Sequence, residues 1–369
     1  MENQKNILTD LKELISNQMP GISKKIKDEY EKLFKFSPNI LICGKSGVGK
    51  STLINSVFRD NIAETGIGEP VSSYIKKYSR DGVPINIYDT PGFETGNSDA
   101  IDDVINYMKN LNSDKDPINH IHVIWYCISG PGSRIEQSEI DFIENIKNTS
   151  DVPVVLLLTK YDQDEEETDK LNEIIKGKNL SISNILNVSS KKNVNLDNLI
   201  TITNQLIPEA FRKAFMNAQI VNIKEKEKAA YKYMVGYVST AAVTGFSPIP
   251  FSSWYLIVPV QLTMLVHISL IFGLEMDKAI LQSIISGTFA TSGATVLGRF
   301  LSGLSKFIPG VGTAVGGTID AAISGSITSA IGTAYIKVLS KIMESSLTGE
   351  DISIDEIEKI MKEEYKKEK

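Results

Sequence analysis

"NILICGKSGVGKST" (residues 39–52) joins a short apolar run to a glycine-rich turn, and "TLINSVF" then carries helix-forming residues onward. It is a G-x-x-x-x-G-K-S phosphate loop in the strand–loop–helix setting that gives the pattern its meaning. Gly44, Gly47 and Gly49 let backbone N–H groups curl around phosphate oxygens without Cβ clashes. Lys50 can reach the β- and γ-phosphates, and the Ser51 hydroxyl can ligate Mg²⁺. Lys45, Ser46, Val48 and Thr52 complete the candidate phosphate-binding run.

Outward from this loop, residues 38–208 alternate short apolar runs with longer charged stretches. "NILICG", "INIYDT", "IHVIWYCIS", "VPVVLLLTK" and "ILNVSS" read as strands, and the stretches between them as helices. Such alternation predicts an α/β domain with a mostly parallel sheet covered on both faces. "SSYIKKYSRDGVPINIYDT" adds a hairpin turning at Asp81-Gly82. The expectation is six strands, one of them antiparallel at the edge.

Three further motifs follow in order. "DTPG", Asp89 to Gly92, closes a strand and by itself would be an ordinary turn. About 40 residues after a phosphate loop, it reads instead as a γ-phosphate sensor, with Asp89 on the metal and the Gly92 N–H on the phosphate. In "TKYD", Thr159 to Asp162, the Asp162 carboxylate can accept from both N1–H and the exocyclic amine of guanine. Adenine offers neither donor there, and a carboxylate left unpaired would reject it. Lys160 can lay its stem along the base, and Ser189, Ser190 and Lys191 would close the base pocket through a backbone N–H. The candidate metal ligands are Ser51, Asp89 and a hydroxyl from "TGIGEPVSS" (65–73). Ser72 and Thr65 compete for that last role.

This order resembles the translation-factor class of small GTPases. "DTPGF" in place of D-x-x-G-Q resembles the Era and TrmE-like bacterial group, which includes the 50S-ribosome-binding GTPase type. The resemblance implies GTP/GDP and Mg²⁺ as cofactors, with Lys50, Ser72 and Gly92 around the reacting phosphate. Ser72 stands where the group's G-x-P-V-T segment has threonine. Phe93 stands where a catalytic glutamine would orient water, which predicts slow intrinsic hydrolysis aided by a partner or a second copy through the G domains. Relatives that use potassium do so through a phosphate-loop asparagine; the matching residue here is Gly47.

Beyond Pro208 the strand signals stop. Residues 209–232 are helical and basic, and 42 residues, Tyr233 to Leu274, follow without a formal charge. Further uncharged runs cover 279–298 and, apart from Asp320, 307–336. Ala218-Gln219, Pro248-Ile249-Pro250 and Ile268 to Leu274 resemble landmarks of a helical domain appended to some Era-like GTPases. A looser resemblance is to immunity-related GTPases of animals, whose helical domains combine both ends of the chain. The expected organisation is therefore amino-terminal helices at 1–37 packing with the helical domain, a GTP-binding domain at 38–208 and an all-α domain at 209–369.

Trp254 to Gly273 has the length to span hydrocarbon, and Gly312-x-x-x-Gly316 permits close helix contact. Pro259, Gln261, Thr263 and His267 interrupt the first of these. The expectation is a cytoplasmic protein held at the inner membrane peripherally or by a hairpin, with 233–340 meeting lipid or a membrane protein. A net charge of −6 gives no global reason to expect nucleic acid. Cys43 and Cys127 lie in strand runs and make no disulfide framework. His120 and His122 lack the partners of a metal site, and nothing forms a Ser-His-Asp arrangement.

Overall fold

The computed structural model describes residues 31–58, 62–65, 67–72, 75–80, 82–90, 92, 98–132, 134–244, 252–273 and 321–348, with isolated positions at 28 and between 356 and 367. Most of the helices expected before residue 37, the run 279–298 and the first part of 307–336 lie outside the described residues. Contacts divide the chain into two compact units, one of residues 32–222 and one of 223–369 together with 1–31.

In the first unit, seven strands form one sheet in the order β2-β3-β4-β1-β5-β6-β7. They are β1 (Asn39–Gly44), β2 (Ile67–Ser72), β3 (Ile75–Arg80), β4 (Val83–Asp89), β5 (Val123–Ser129), β6 (Val154–Thr159) and β7 (Asn184–Asn187). β1 is parallel to β4 and β5, β5 to β6, and β6 to β7. β3 runs antiparallel to both β2 and β4. Every residue of β1 and β6 is buried, as strands covered on both faces require.

Helices α1 (Lys50–Val57), α2 (Ile62–Thr65), α3 (Ser98–Asn112), α4 (Gln137–Thr149), α5 (Glu165–Lys176), α6 (Leu196–Leu206) and α7 (Glu209–Ala218) complete this unit. The alternation of β1 feeds two cores: Ile40 and Ile42 join α1, α6 and α7, while Leu41 and Cys43 join α3, α4 and α5. β1 lies between β4 and β5, where the chain switches from one side of the sheet to the other. Ligands of open α/β sheets bind at the carboxyl ends of strands beside such a point.

Two expectations are corrected. The sheet has seven strands, not six, because Ile67–Ser72 pairs with β3 as an extra edge strand. Gly68 and Pro70 hide that strand in the sequence, and proline is tolerated only at an edge. The boundary also falls later than Pro208. Phe211, Ala214 and Phe215 of α7 are buried, with Phe211 and Phe215 in the core of Phe58 and Trp125. The Ile220 N–H donates to the Val57 carbonyl at 2.9 Å, so the unit runs through Asn222.

The second unit is built on α8 (Ile223–Thr244), α9 (Ser252–Phe272) and α10 (Ala321–Thr348). A Cβ on Gly332 would overlap the Met234 side chain, so any larger residue there would make that methionine shift where α10 passes α8. Polar groups within the bundle are paired across helices. Gln261 Nε2 donates to Thr328 Oγ1 at 3.1 Å, Tyr237 Oη meets His267 Nδ1 at 2.8 Å, and Ser269 Oγ meets Tyr335 Oη at 2.6 Å. No described helix is long and apolar enough to cross a membrane. Within Trp254 to Gly273, the side chains of Gln261, His267 and Ser269 bond to neighbouring helices.

Candidate functional site

The phosphate loop leaves β1 through Gly44, whose φ of 135° belongs to glycine. A Cβ there would collide with the Cys127 carbonyl. Gly47 and Gly49 also have positive φ, 73° and 101°, and Gly49 caps α1. Ser46, Gly47, Ser51 and Thr52 are exposed around the turn, whereas Val48 is buried beneath it. Lys50 is 9% exposed; its ammonium donates to the carbonyls of Gly44 at 2.9 Å and Lys45 at 3.1 Å. It is therefore already aimed into the loop that a phosphate would fill.

Asp89 ends β4 beside this lysine. Its Oδ1 is sealed from solvent and has no hydrogen-bond partner. Burial pushes its pKa up to about 6, against the pull of Lys50 and Lys76. A buried carboxylate oxygen without a donor is costly unless a cation completes it. Gly92 lies against the loop so closely that a Cβ would overlap Ser46. Gly92 and the phosphate loop thus meet.

The base-side residues also come together. Thr159 is buried, and its hydroxyl lies 2.5 Å from the Val48 carbonyl and 3.1 Å from the Ile128 carbonyl. It is a brace between "TKYD" and the phosphate loop rather than a group facing the base. Lys160 adopts a left-handed φ of 57°, which turns the chain into the short 3₁₀ segment carrying Asp162. Asp162 Oδ1 accepts from Ser189 Oγ at 2.5 Å, and Ser189 Oγ accepts from the Lys192 N–H at 3.1 Å. The Ser189 hydroxyl holds the Asp162 carboxyl below its ordinary range. A carboxylate has about four lone-pair sites, so acceptor capacity remains for a base edge. The Ser190 carbonyl accepts from Ser56 of α1 at 3.4 Å, and Lys191 is exposed beside it.

Ser72 is placed differently. At the end of β2, its hydroxyl donates to Asp103 Oδ2 of α3 at 2.6 Å. Thr65 ends α2, and its side chain lies outside the described residues, as does Phe93. Two contacts carried no sequence signal. One is Asp103. The other is Lys45, whose ammonium meets Glu136 at 2.5 Å and Glu139 at 4.0 Å, tying the loop to the start of α4. His122 is structural: Nδ1 accepts from the Asn39 N–H at 2.9 Å, and burial lowers its pKa to about 4.

The sheet order, the loop, the buried aspartate at its lip and the braced "TKYD" define a P-loop GTPase. The AIG1 family profile matches residues 38–235, more than half of the chain, and the chain belongs to the AIG1 family. It is 30% identical over 163 residues to GTPase Era of Borreliella burgdorferi (strain ZS7), covering 43% of this chain and 52% of that protein. It is 26% identical over 148 residues to cell division control protein 10 of Saccharomyces cerevisiae, covering 32% and 46%. The chain thus spans about half the length of the curated relatives it matches. Similar solved structures include the G domain of the T. maritima FeoB iron transporter, at a TM-score of 0.33 and 18% identity, covering 46% of this chain and 98% of that one.

Proposed function

We propose that this protein is a Mg²⁺-dependent guanine-nucleotide switch with slow GTP hydrolysis, whose helical unit engages an anionic membrane surface. The observation that carries the nucleotide reading is Asp89 Oδ1, buried without a partner beside the Lys50 ammonium. Ser51 and Asp89 would hold Mg²⁺, joined by Ser72 once its hydroxyl is free. When bound, Mg²⁺ neutralises charge on the phosphate oxygens. Lys50 then exchanges its carbonyl partners for phosphate oxygens, the Gly92 N–H meets the γ-phosphate, and Asp162 reads guanine. Lys50 and the loop amides need no reorganisation beyond that exchange, which favours transition-state charge.

Calorimetric titration with GDP, a non-hydrolysable GTP analogue and ADP tests this reading. Guanine nucleotides should bind at least about 100-fold more tightly than ADP, because Asp162 would be left unpaired by adenine. Equal affinities would refute it. Phe93 offers no group to orient water, so single-turnover hydrolysis should be slow and should rise with protein concentration. A fast, concentration-independent rate would contradict assistance from a second copy.

Support for the membrane part comes from α8. Lys224, Lys228 and Lys232 are exposed at four-residue spacing, and the same face continues into Val235, 61% exposed, and Ser239. A basic stripe leading into an uncharged one suits an anionic interface. Liposome flotation of the full chain should depend on anionic lipid and fall on charge reversal of the three lysines. Flotation in neither nucleotide state would remove the membrane from the proposal. A ribosome-assembly role is less well supported, since 233–345 carries only nine charged side chains for phosphate contacts.

A further inference from the structure

Resting on that reading of Ser72, we propose that Asp103 is a positioning residue that stores the switch segment as strand β2 by holding Ser72 away from the metal. The placement follows from strand register. Lys76 pairs with Asp89, and Ser72 pairs with Ile75, one residue along β3. Directly paired residues share a face and successive residues alternate. Ile75 and Tyr88 belong to the core under α3, whereas Ile87 belongs to the core under α1. Asp89, two residues after Ile87, is thus on the α1 side, where Lys50 lies. Ser72 is on the opposite side, where Asp103 Oδ2 accepts a hydrogen bond from its hydroxyl at 2.6 Å.

The register of β2 shifts between Pro70 and Ser72. An irregularity of this kind re-aims a side chain, and here it delivers the Ser72 hydroxyl to α3. While β2 stays zipped to β3, Ser72 and Asp89 cannot serve one ion. A 2.6 Å bond from a hydroxyl to a carboxylate is charge-assisted and about twice as strong as a neutral one. Asp103 therefore competes with metal ligation, and nucleotide triphosphate must unzip the end of β2 to recruit Ser72. The device acts on the triphosphate state alone, because only the γ-phosphate and its metal recruit the switch hydroxyl.

Affinities of GDP and a non-hydrolysable GTP analogue with Mg²⁺, measured for the full chain, test this. Asp103→Ala should tighten the analogue about tenfold, the factor expected from losing one charge-assisted bond, and leave GDP unchanged. Asp103→Asn, which keeps an acceptor, should give a smaller gain. Ser72→Ala should weaken the analogue selectively, and adding Asp103→Ala to it should restore nothing. In hydrogen exchange, the amides of 67–72 should lose protection with the analogue and keep it with GDP. If Ser72→Ala weakens the analogue while Asp103→Ala leaves the analogue-to-GDP ratio unchanged, the latch is overturned and the metal role of Ser72 survives. If Ser72→Ala leaves the ratio unchanged, the reading of Ser72 fails with it.

Discussion

The two units spend their buried polar groups in opposite ways. In residues 32–222, Asp89 Oδ1 is buried without a partner and Lys50 is turned onto loop carbonyls that a phosphate would relieve. In the helical unit, Lys226 is fully buried and its ammonium caps the last carbonyls of α9, Ile271 at 3.2 Å and Phe272 at 2.9 Å. That placement satisfies helix-end acceptors and complements the negative end of the helix dipole. Ser269 with Tyr335 and Tyr237 with His267 do the same kind of work between helices. One unit keeps polar capacity in reserve for a ligand; the other uses it to select one packing.

Substitutions can break this contrast at either end. The largest effect should come from Lys50→Ala, which removes the cation from the loop and should cost on the order of 10³-fold in nucleotide affinity. The fold should survive, as checked by an unchanged thermal transition. Lys226→Ala should do the reverse. It leaves two buried carbonyls uncapped and should destabilise the helical unit by about 3 kcal/mol, with nucleotide affinity unchanged in titration calorimetry. An equal loss of nucleotide binding would erase the contrast between the units.

Asp89→Asn sharpens it. Because burial raises the Asp89 pKa to about 6, its charge opposes folding above that pH, and the native state holds its proton more tightly than the unfolded chain. Metal-free Asp89→Asn should therefore gain about 2 kcal/mol at pH 7. Its stability-against-pH curve should change as well. Asp89 makes stability fall as pH rises between about 4 and 6. His122, lowered to about 4, makes stability rise over about 4 to 6.5, because the unfolded chain binds the extra proton there. The two oppose each other in the wild type, so the variant should show a steeper net rise than the wild type in denaturant titrations across that range. The smallest effect should come from Tyr335→Phe. Losing its bond to Ser269 should cost about 1 kcal/mol in the helical unit and nothing at the nucleotide site.

What was legible in the sequence was what local chemistry dictates. Gly44, Gly47 and Gly49 need positive φ, Lys50 and Asp89 belong to short motifs, and strand alternation sorts Ile40 from Leu41. Each depends on neighbours a few residues away. The brace from Thr159 to Val48 spans 111 residues, and the bond from Ser72 to Asp103 spans 31. Neither has a local signature, so "TKYD" read as base contacts throughout and Ile67–Ser72 was not counted among the strands. The late boundary at Asn222 has the same origin, since Phe211 and Phe215 show helical spacing but not which core they enter. Trp254 to Gly273 shows the same limit of local reading. Its apolar length suits lipid, yet Gln261, His267 and Ser269 find their partners on neighbouring helices.

The most direct test of the central claim is the Mg²⁺ dependence of binding a non-hydrolysable GTP analogue, compared between the wild type and Asp89→Asn by calorimetry at pH 7. If the buried Asp89 oxygen is held for a nucleotide-bound cation, Mg²⁺ should tighten the analogue at least about tenfold in the wild type. The gain should vanish in the variant and fade in the wild type as pH drops below about 6. The same Mg²⁺ dependence in both proteins would contradict the account.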